Sequence, residues 1–267
     1  MITIIIVGEL INSTRKSVKE ALANKDEAAI RRLAKDQIDG GADIIDVNTA
    51  TSMENEISDM KWVIGLVYDE VGEVRIAVDS PNPKALAAGL EMCQGRPLIN
   101  SINNDPRHAE CIDVVKNFAD ADIIGLPMGG KVAMPKTVEE RLGELDIMVN
   151  TLEKNGVDLS RLYVDNIVMT IGSSQEQGRF VIDATRGTKQ RYGDRGVKTS
   201  VGLSNVSFGL PKRTLINQAF LAMLLEAGLD MAFIDPNDTG MMNILRASEA
   251  ILGTDKHCIR YLKQVRQ

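Results

Sequence analysis

Cysteine is sparse and badly placed for pairing. Cys93, Cys111 and Cys258 are odd in number, widely separated and form no CxxC pair. That argues against a disulfide framework or a structural zinc site and leaves buried free thiols as the expectation. Histidine is scarcer still: His108 and His257 are the only two, both in stretches that read as helix away from strand ends. A histidine-based mechanism therefore has little support, a metal site on His257 and Cys258 would need more ligands than the local sequence offers, and no protein-bound metal is expected. Cationic residues are not in excess. With 31 Lys and Arg against 37 Asp and Glu, the net charge is −6, which argues against nucleic acid as a partner because phosphate binding needs clustered Lys and Arg. Long hydrophobic runs are missing as well. The apolar start of MITIIIVGEL has no basic segment before it and falls short of the roughly 20 residues of a membrane span. It reads as a first strand, with no membrane association and a cytoplasmic location expected. The first strand–helix turn, GELINST, lacks GxGxxG, and PMGGK at 127–131 lacks Walker spacing and a following Ser or Thr. The latter reads as a flexible mouth loop, with Lys131 available to an anionic substrate tail.

What is present is a regular alternation of strand and helix signals in an ordinary globular composition, 44% hydrophobic and 25% charged. Strand candidates fall at 2–8, 43–48, 75–79, 97–100, 122–127, 161–165, 198–203 and 231–235. Between them, Ile57, Met60, Ile64, Val67 and Val71 keep 3,4,3,4 spacing, and Val138, Leu142, Leu145, Val149 and Leu152 keep 4,3,4,3, so each set presents one apolar stripe to a sheet. Asn82–Pro83 and Asp105–Pro106 look like caps with proline at the first helical position, and Thr137 with Glu140 has capping-box spacing. Gly40, Gly72, Gly95, Gly156, Gly193, Gly228 and Gly253 follow the helical patterns, where a left-handed residue stops a helix. Eight strand–helix alternations predict a single TIM-type (β/α)8 barrel occupying residues 1–267 as one domain, with a doubly wound open sheet as the alternative.

Five apolar blocks end in an amide or carboxylate: DIIDVNT at 43–49, RIAVDSPN at 75–82, PLINSINN at 97–104, RLYVDN at 161–166 and VGLSNVS at 201–207. In a parallel barrel the carboxyl ends of all strands meet at one mouth, so these side chains would line a single pocket. Asp79 and Asp165 are the first candidates. Either one alone is as readily a helix cap, but two at one mouth can each accept paired hydrogen bonds from an amidine-like edge, such as pterins and purines present. Asn48, Asn100 and Asn205 add uncharged donors and acceptors suited to a polar heterocycle, although turn formation explains any one of them equally well. Asp46 ranks below Asp79, since it is equally suited to satisfying backbone donors near the loop.

At these same blocks the sequence resembles the methyltetrahydrofolate:corrinoid methyltransferases, within the pterin-binding superfamily that includes dihydropteroate synthases. The matching segments are GELIN at 8–12, GGADIIDVN at 40–48, VDSPN at 78–82, LINSIN at 98–103, LYVD at 162–165, and GLSNVS with the later RTLIN and FLAM at 202–223. By that resemblance Asp79, Asn100 and Asp165 match pterin-ring ligands and Asn205 matches a mobile asparagine near N5, the expected catalytic residue. Glu9, Asn12 and Ser204 are supporting candidates, and Lys212 and Arg213 keep some basic character of the dihydropteroate synthase pattern. The loops NIVMTIGSSQEQG after Asp165 and FGLP after Asn205 depart from relatives, which bears on substrate entry and on docking of a corrinoid protein.

The resemblance implies methyl transfer between N5 of tetrahydrofolate and a corrinoid cobalt, in a direction the sequence leaves open. Methyltetrahydrofolate or tetrahydrofolate is then the substrate, and the corrinoid (cobalamin) is supplied by a partner protein or as free cofactor. N5 is a poor leaving group unless it is protonated or strongly hydrogen-bonded, which is the task for the pocket. A dihydropteroate synthase-like condensing enzyme and a noncatalytic pterin-binding subunit are the alternatives. A homodimer is also implied by the family, with Leu221, Met223 and Leu224 as candidate contacts.

Overall fold

The computed structural model describes residues 3–51 and 54–266. Eight parallel strands close in chain order into a barrel: β1 (Ile5–Asn12), β2 (Ile44–Asn48), β3 (Arg75–Asp79), β4 (Leu98–Asn103), β5 (Asp122–Leu126), β6 (Leu162–Asp165), β7 (Lys198–Gly202) and β8 (Met231–Ile234). The helices are α1 (Lys16–Asn24), α2 (Glu27–Asp39), α3 (Glu56–Val71), α4 (Pro83–Leu90), α5 (Glu110–Asn117), α6 (Val138–Lys154), α7 (Gln177–Tyr192), α8 (Arg213–Glu226), α9 (Thr239–Ile251) and α10 (Ile259–Val265). The fold is thus the expected TIM-type barrel. Closure comes from β1 beside β8, with Ile5 opposite Met231 and Gly8 opposite Ile234.

Two apolar layers follow from the two-residue alternation of strand side chains. Outward residues such as Ile45, Val47, Ile76, Val78, Ile99 and Ile123 pack under the helices. Inward residues Val7, Ile44, Ala77, Leu98, Ile124, Tyr163, Met231 and Phe233 form a separate cluster that fills the barrel. Two residues further along the inward faces of β1, β2, β3, β4 and β6 stand Glu9, Asp46, Asp79, Asn100 and Asp165. Polar side chains thus sit directly on an apolar floor.

Local signals mostly hold, with physical reasons where they do not. Asn82 caps α4 and Thr137 with Glu140 forms the full capping box of α6, whereas Asp105 caps a 3-10 turn, Pro106–His108, that leads into α5. Leu142, Leu145, Val149 and Leu152 are buried on α6; on α3 Ile57 lies at the exposed end of the stripe, while Met60, Ile64 and Val67 are buried. Gly40 and Gly193 have right-handed backbone, and the left-handed positions are the following Gly41 and Gly196. Ile2, the first residue of the expected first strand, lies outside the described residues, and β1 runs on through GELIN to Asn12 past a register shift, so Glu9 and Asn12 belong to a strand and not to a turn. Of the thiols, Cys111 is buried and Cys93 half-buried, but Cys258 is exposed at the start of α10, which corrects the expectation of three buried groups. His108 also departs from its expected place away from strand ends, because its ring meets the side chain of Asn103 at the end of β4. Leu221 and Leu224 are packed inside the barrel wall, and Met223 alone of the three candidate dimer contacts is exposed.

The PMGGK segment is pinned, contrary to its reading as a flexible loop. The buried Glu144 of α6 accepts the backbone N–H groups of Gly130 at 2.9 Å, Lys131 at 2.6 Å and Val132 at 2.7 Å, together with Asn104 Nδ2 at 2.8 Å. A carboxylate from the protein itself therefore occupies the concavity that a phosphate would need. Burial alone would raise the Glu144 pKa, but the bonds from Asn104, Val132, Gly130 and Lys131 outweigh it and hold the group below its ordinary value. Glu144→Ala strands these donors and is expected to cost about 2–4 kcal/mol in urea unfolding at pH 7. Because the folded pKa is depressed, that difference is present above the unfolded value of about 4.3 and should shrink as the pH falls through the folded pKa.

Candidate active site

Strands β2, β3 and β4 align Asn48, Asp79 and Asn100 at one level, and Asn12 of β1 stands opposite Asn48. Two cross-strand amide bonds tie this row together. Asn48 Nδ2 donates to Asp79 Oδ2 at 3.0 Å, and Asn100 Nδ2 donates to Asp46 Oδ1 at 3.0 Å, one layer below. Asn48 is itself oriented by Ser13 Oγ, which donates to its Oδ1 at 2.6 Å. Among the described residues Asp79 Oδ1 and Asn100 Oδ1 have no hydrogen-bond donor, so an acceptor pair is left facing the mouth.

On the far wall Asp165 ends β6. Its Oδ1 accepts the N–H of Ile167 at 2.8 Å and its Oδ2 the N–H of Gly202 at 2.8 Å, each leaving a further lone pair. Asn205 lies on the 3-10 turn Leu203–Ser207 that follows β7, and its side chain is exposed. A methyl group at Gly202 would stand 3.6 Å from Asn205 Nδ2 and 3.7 Å from Asp165 Oδ2, so these two groups border one space that the glycine keeps open.

A third part of the mouth is a cavity of about 260 Å³ beside β1, β7 and β8, lined by Glu9, Arg15, Ser204, Arg213, Asn217 and Asp235 among others. Arg213 opens α8 and reaches back to donate to Ser207 Oγ at 3.0 Å and to the Ser204 carbonyl at 2.6 Å, fixing the turn that carries Asn205. Asn12 is the least available of the expected residues, because its Oδ1 accepts both the N–H and the hydroxyl of Thr14. Arg15, Asn217 and Asp235 went unremarked in the sequence. For Asp235 the signal was there, since AFID repeats the pattern of an apolar block ending in a carboxylate.

Electrostatically this is a dry acidic site. Burial pushes Asp79 up to about 6, against the Asn48 bond and with the charge of Glu56 adding to the rise. Glu9 is pushed up to about 7 by burial, with Arg15 and Arg213 opposing and Asp235 adding. Asp46 lies well above the ordinary carboxylate range, first from burial and then from the charge of Asp79. Asp165 is also raised by burial, which the N–H groups of Ile167 and Gly202 and the charge of Arg141 only partly offset. Desolvated carboxyls with acceptor capacity to spare, gathered in one cleft, make it a candidate site for a ligand that brings hydrogen-bond donors. Among the described residues no group of three or more His, Cys, Asp or Glu side chains is arranged to hold a metal ion, and no helix is long and apolar enough to cross a membrane.

Comparison with known proteins agrees with this arrangement. Residues 8–235 match the family described as pterin binding enzyme. A methylcorrinoid:tetrahydrofolate methyltransferase of Eubacterium limosum is 34% identical over 98% of this chain and 96% of its own length. A methionine synthase of Mycobacterium leprae is 32% identical over 87% of this chain, which spans only 20% of that larger protein. Among solved structures, a Xanthomonas albilineans dihydropteroate synthase aligns with a TM-score of 0.71 at 17% identity over 94% of this chain and 92% of its own, and a Yersinia pestis DHPS with a pterine-sulfa conjugate aligns at 0.68 and 12% identity over 94% of each chain; these show the shared fold. The chain belongs to the pterin-binding enzyme family.

Proposed function

We propose that this protein transfers a methyl group between N5 of tetrahydrofolate and the cobalt of a corrinoid delivered by a separate protein. The observation that carries the reading is the placing of Asp79, Asn100 and Asp165 around one desolvated mouth, with Asn205 beside Asp165. The name of the Eubacterium limosum relative, matched along 96% of its own length, supports the same substrates. The reduced or methylated corrinoid supplies the nucleophile or the methyl donor.

The residues of this chain do the rest. A pterin presents a ring N–H and an exocyclic amino group on one edge, which suit the carboxylate of Asp79 or Asp165, while Asn100 Oδ1 and the peptide groups take neighbouring positions. With the ring so held, the exposed amide of Asn205 is free to donate to N5 or to order a water there. That bond strengthens as N5 loses its methyl group and gains charge, which is where an interaction accelerates the transfer and not merely the binding. The apolar floor of Ile44, Ala77, Leu98 and Tyr163 excludes water from the opposite face.

Asp79→Ala or Asp165→Ala should weaken folate binding by about 1.5–3 kcal/mol, through loss of a charge-assisted hydrogen bond, while leaving the barrel folded. Calorimetric titration measures this, and unchanged affinity in both variants removes the ring site. Because ring donors require the anion, affinity should fall as the pH is lowered through about 6, where Asp79 takes up its proton. The stability of the unliganded protein has the opposite sign. A carboxyl raised on folding contributes stability that is full below its unfolded pKa of about 4 and is lost as the pH rises through about 6.

Asn205→Ala should slow single-turnover methyl transfer by about a hundredfold in both directions while changing tetrahydrofolate affinity little. A folded variant with wild-type transfer rates would rule out the role. The homodimer is proposed on the groove between α7 and α8, where Ile182, Ala219 and the 55% exposed Met223 are flanked by Arg179, Arg186 and Glu226. Arg186 and Glu226 already pair within the chain, so the apolar strip of Ile182, Ala219 and Met223 is what a second copy would cover in an isologous contact. Light scattering should give about twice 29.2 kDa for the wild type and about 29.2 kDa for Met223→Glu, and a wild-type mass at the monomer value excludes the dimer.

A further inference from the structure

Arg141 is fully buried in α6, makes no ion pair among the described residues, and spends its guanidinium on three backbone carbonyls and one side-chain amide. Its Nε donates to the Asn166 carbonyl at 2.7 Å and its Nη2 to the Ile167 carbonyl at 3.1 Å and to Gln177 Oε1 at 2.8 Å; its Nη1 donates to the Thr137 carbonyl at 3.2 Å. Asn166 and Ile167 are the two residues that follow Asp165. Ile167 has φ +57, a left-handed backbone that a β-branched residue takes only when surrounding contacts hold it there. The Asn166 carbonyl and the Ile167 N–H belong to one peptide plane, so the Arg141 bond to that carbonyl also orients the N–H that Asp165 Oδ1 accepts.

We infer that Arg141 is the positioning residue for Asp165: its planar fork on two successive carbonyls fixes the turn that aims the carboxylate into the mouth. A lysine has no such fork, and the Arg141 charge is in addition one of the causes that partly offset the rise of the Asp165 pKa. The charged groups around Asp165 are few. From α6 comes Arg141, with Glu140 next to it offsetting part of its charge; β7 contributes the uncharged Ser200 and the N–H of Gly202, and the loop after β6 contributes the N–H of Ile167. The desolvation that draws the Arg141 pKa down also leaves its charge poorly screened toward Asp165. The inference rests on the folate-binding reading of Asp165.

The test is folate affinity as a function of pH for the whole protein and for Arg141→Met, Arg141→Lys and Asp165→Asn, each first checked for folding by circular dichroism. Arg141→Met should bind folate about tenfold more weakly at pH 7, and the fall in affinity at acid pH should begin at a higher pH than in the wild type. Arg141→Lys keeps the cation and loses the fork. Its acid limb should match the wild type while its affinity is several-fold lower at every pH, so it decides the matter even where Arg141→Met does not fold. Wild-type affinity and pH profile in folded Arg141→Lys, or in folded Arg141→Met, overturns the inference. Asp165→Asn separates the two levels of the argument. If it binds folate as the wild type does, the folate-binding reading of Asp165 itself fails; if it is weakened while the Arg141 variants are not, only the role of Arg141 fails.

Discussion

Closure of β1 onto β8 is the constraint on which the rest depends. A parallel sheet closed into a barrel has an inside and an outside, and strand alternation then assigns each side chain to one or the other. Because Ile44, Ala77, Leu98 and Tyr163 fill the inside, Asp79, Asn100 and Asp165, two positions later on their strands, emerge above an apolar layer, with Asp46 buried one level lower beside Ala77. Were the same sheet open, these groups would be spread along an edge and solvated. The raised pKa values of Asp79 and Glu9 are a direct result of closure, since burial is the largest cause of each.

Two buried carboxylates show how environment separates structure from function. Glu144 receives four hydrogen bonds at its two oxygens, is held below its ordinary pKa, and is thereby spent on fixing the loop after β5. Asp79 receives one, from a neutral amide, and is pushed up to about 6. The first is saturated with donors and has nothing left for a ligand. The second is under-supplied in a desolvated cleft, an arrangement that costs stability and marks a candidate ligand site. Asp165 lies between the two: backbone N–H groups hold both oxygens in place, yet a lone pair of each remains for a substrate.

Orientation at the mouth is set from behind. Ser13 orients Asn48, Arg213 fixes the turn bearing Asn205, and Arg141 holds the turn after Asp165. Each acts on a neighbour of the polar group facing the pocket, so the facing groups keep free lone pairs and donors. This arrangement allows a rigid constellation without pairing its charges, the preorganisation that differential binding of a transition state requires.

The sequence by itself determined the fold class, because strand and helix patterns alternate through the chain and proline, capping and glycine signals punctuate them locally. It also marked Asp79, Asn100, Asp165 and Asn205, since an apolar block ending in a polar residue is a pattern read within a few positions. Boundaries that depend on pairing were not legible: β1 extends to Asn12 because β2 offers Val47 and Asn48 as partners, and the PMGGK loop is rigid because Glu144 reaches it from 12 to 14 residues away in the chain. Nor was the inward part of Arg141, which on an amphipathic helix reads as an ordinary charged residue and whose partners Asn166, Ile167 and Gln177 lie 25 to 36 residues on. Local sequence fixes what the backbone does within a turn or two, whereas desolvation, carboxylate pKa values and the choice between a saturated and an open acceptor are properties of groups brought together only by the closed barrel.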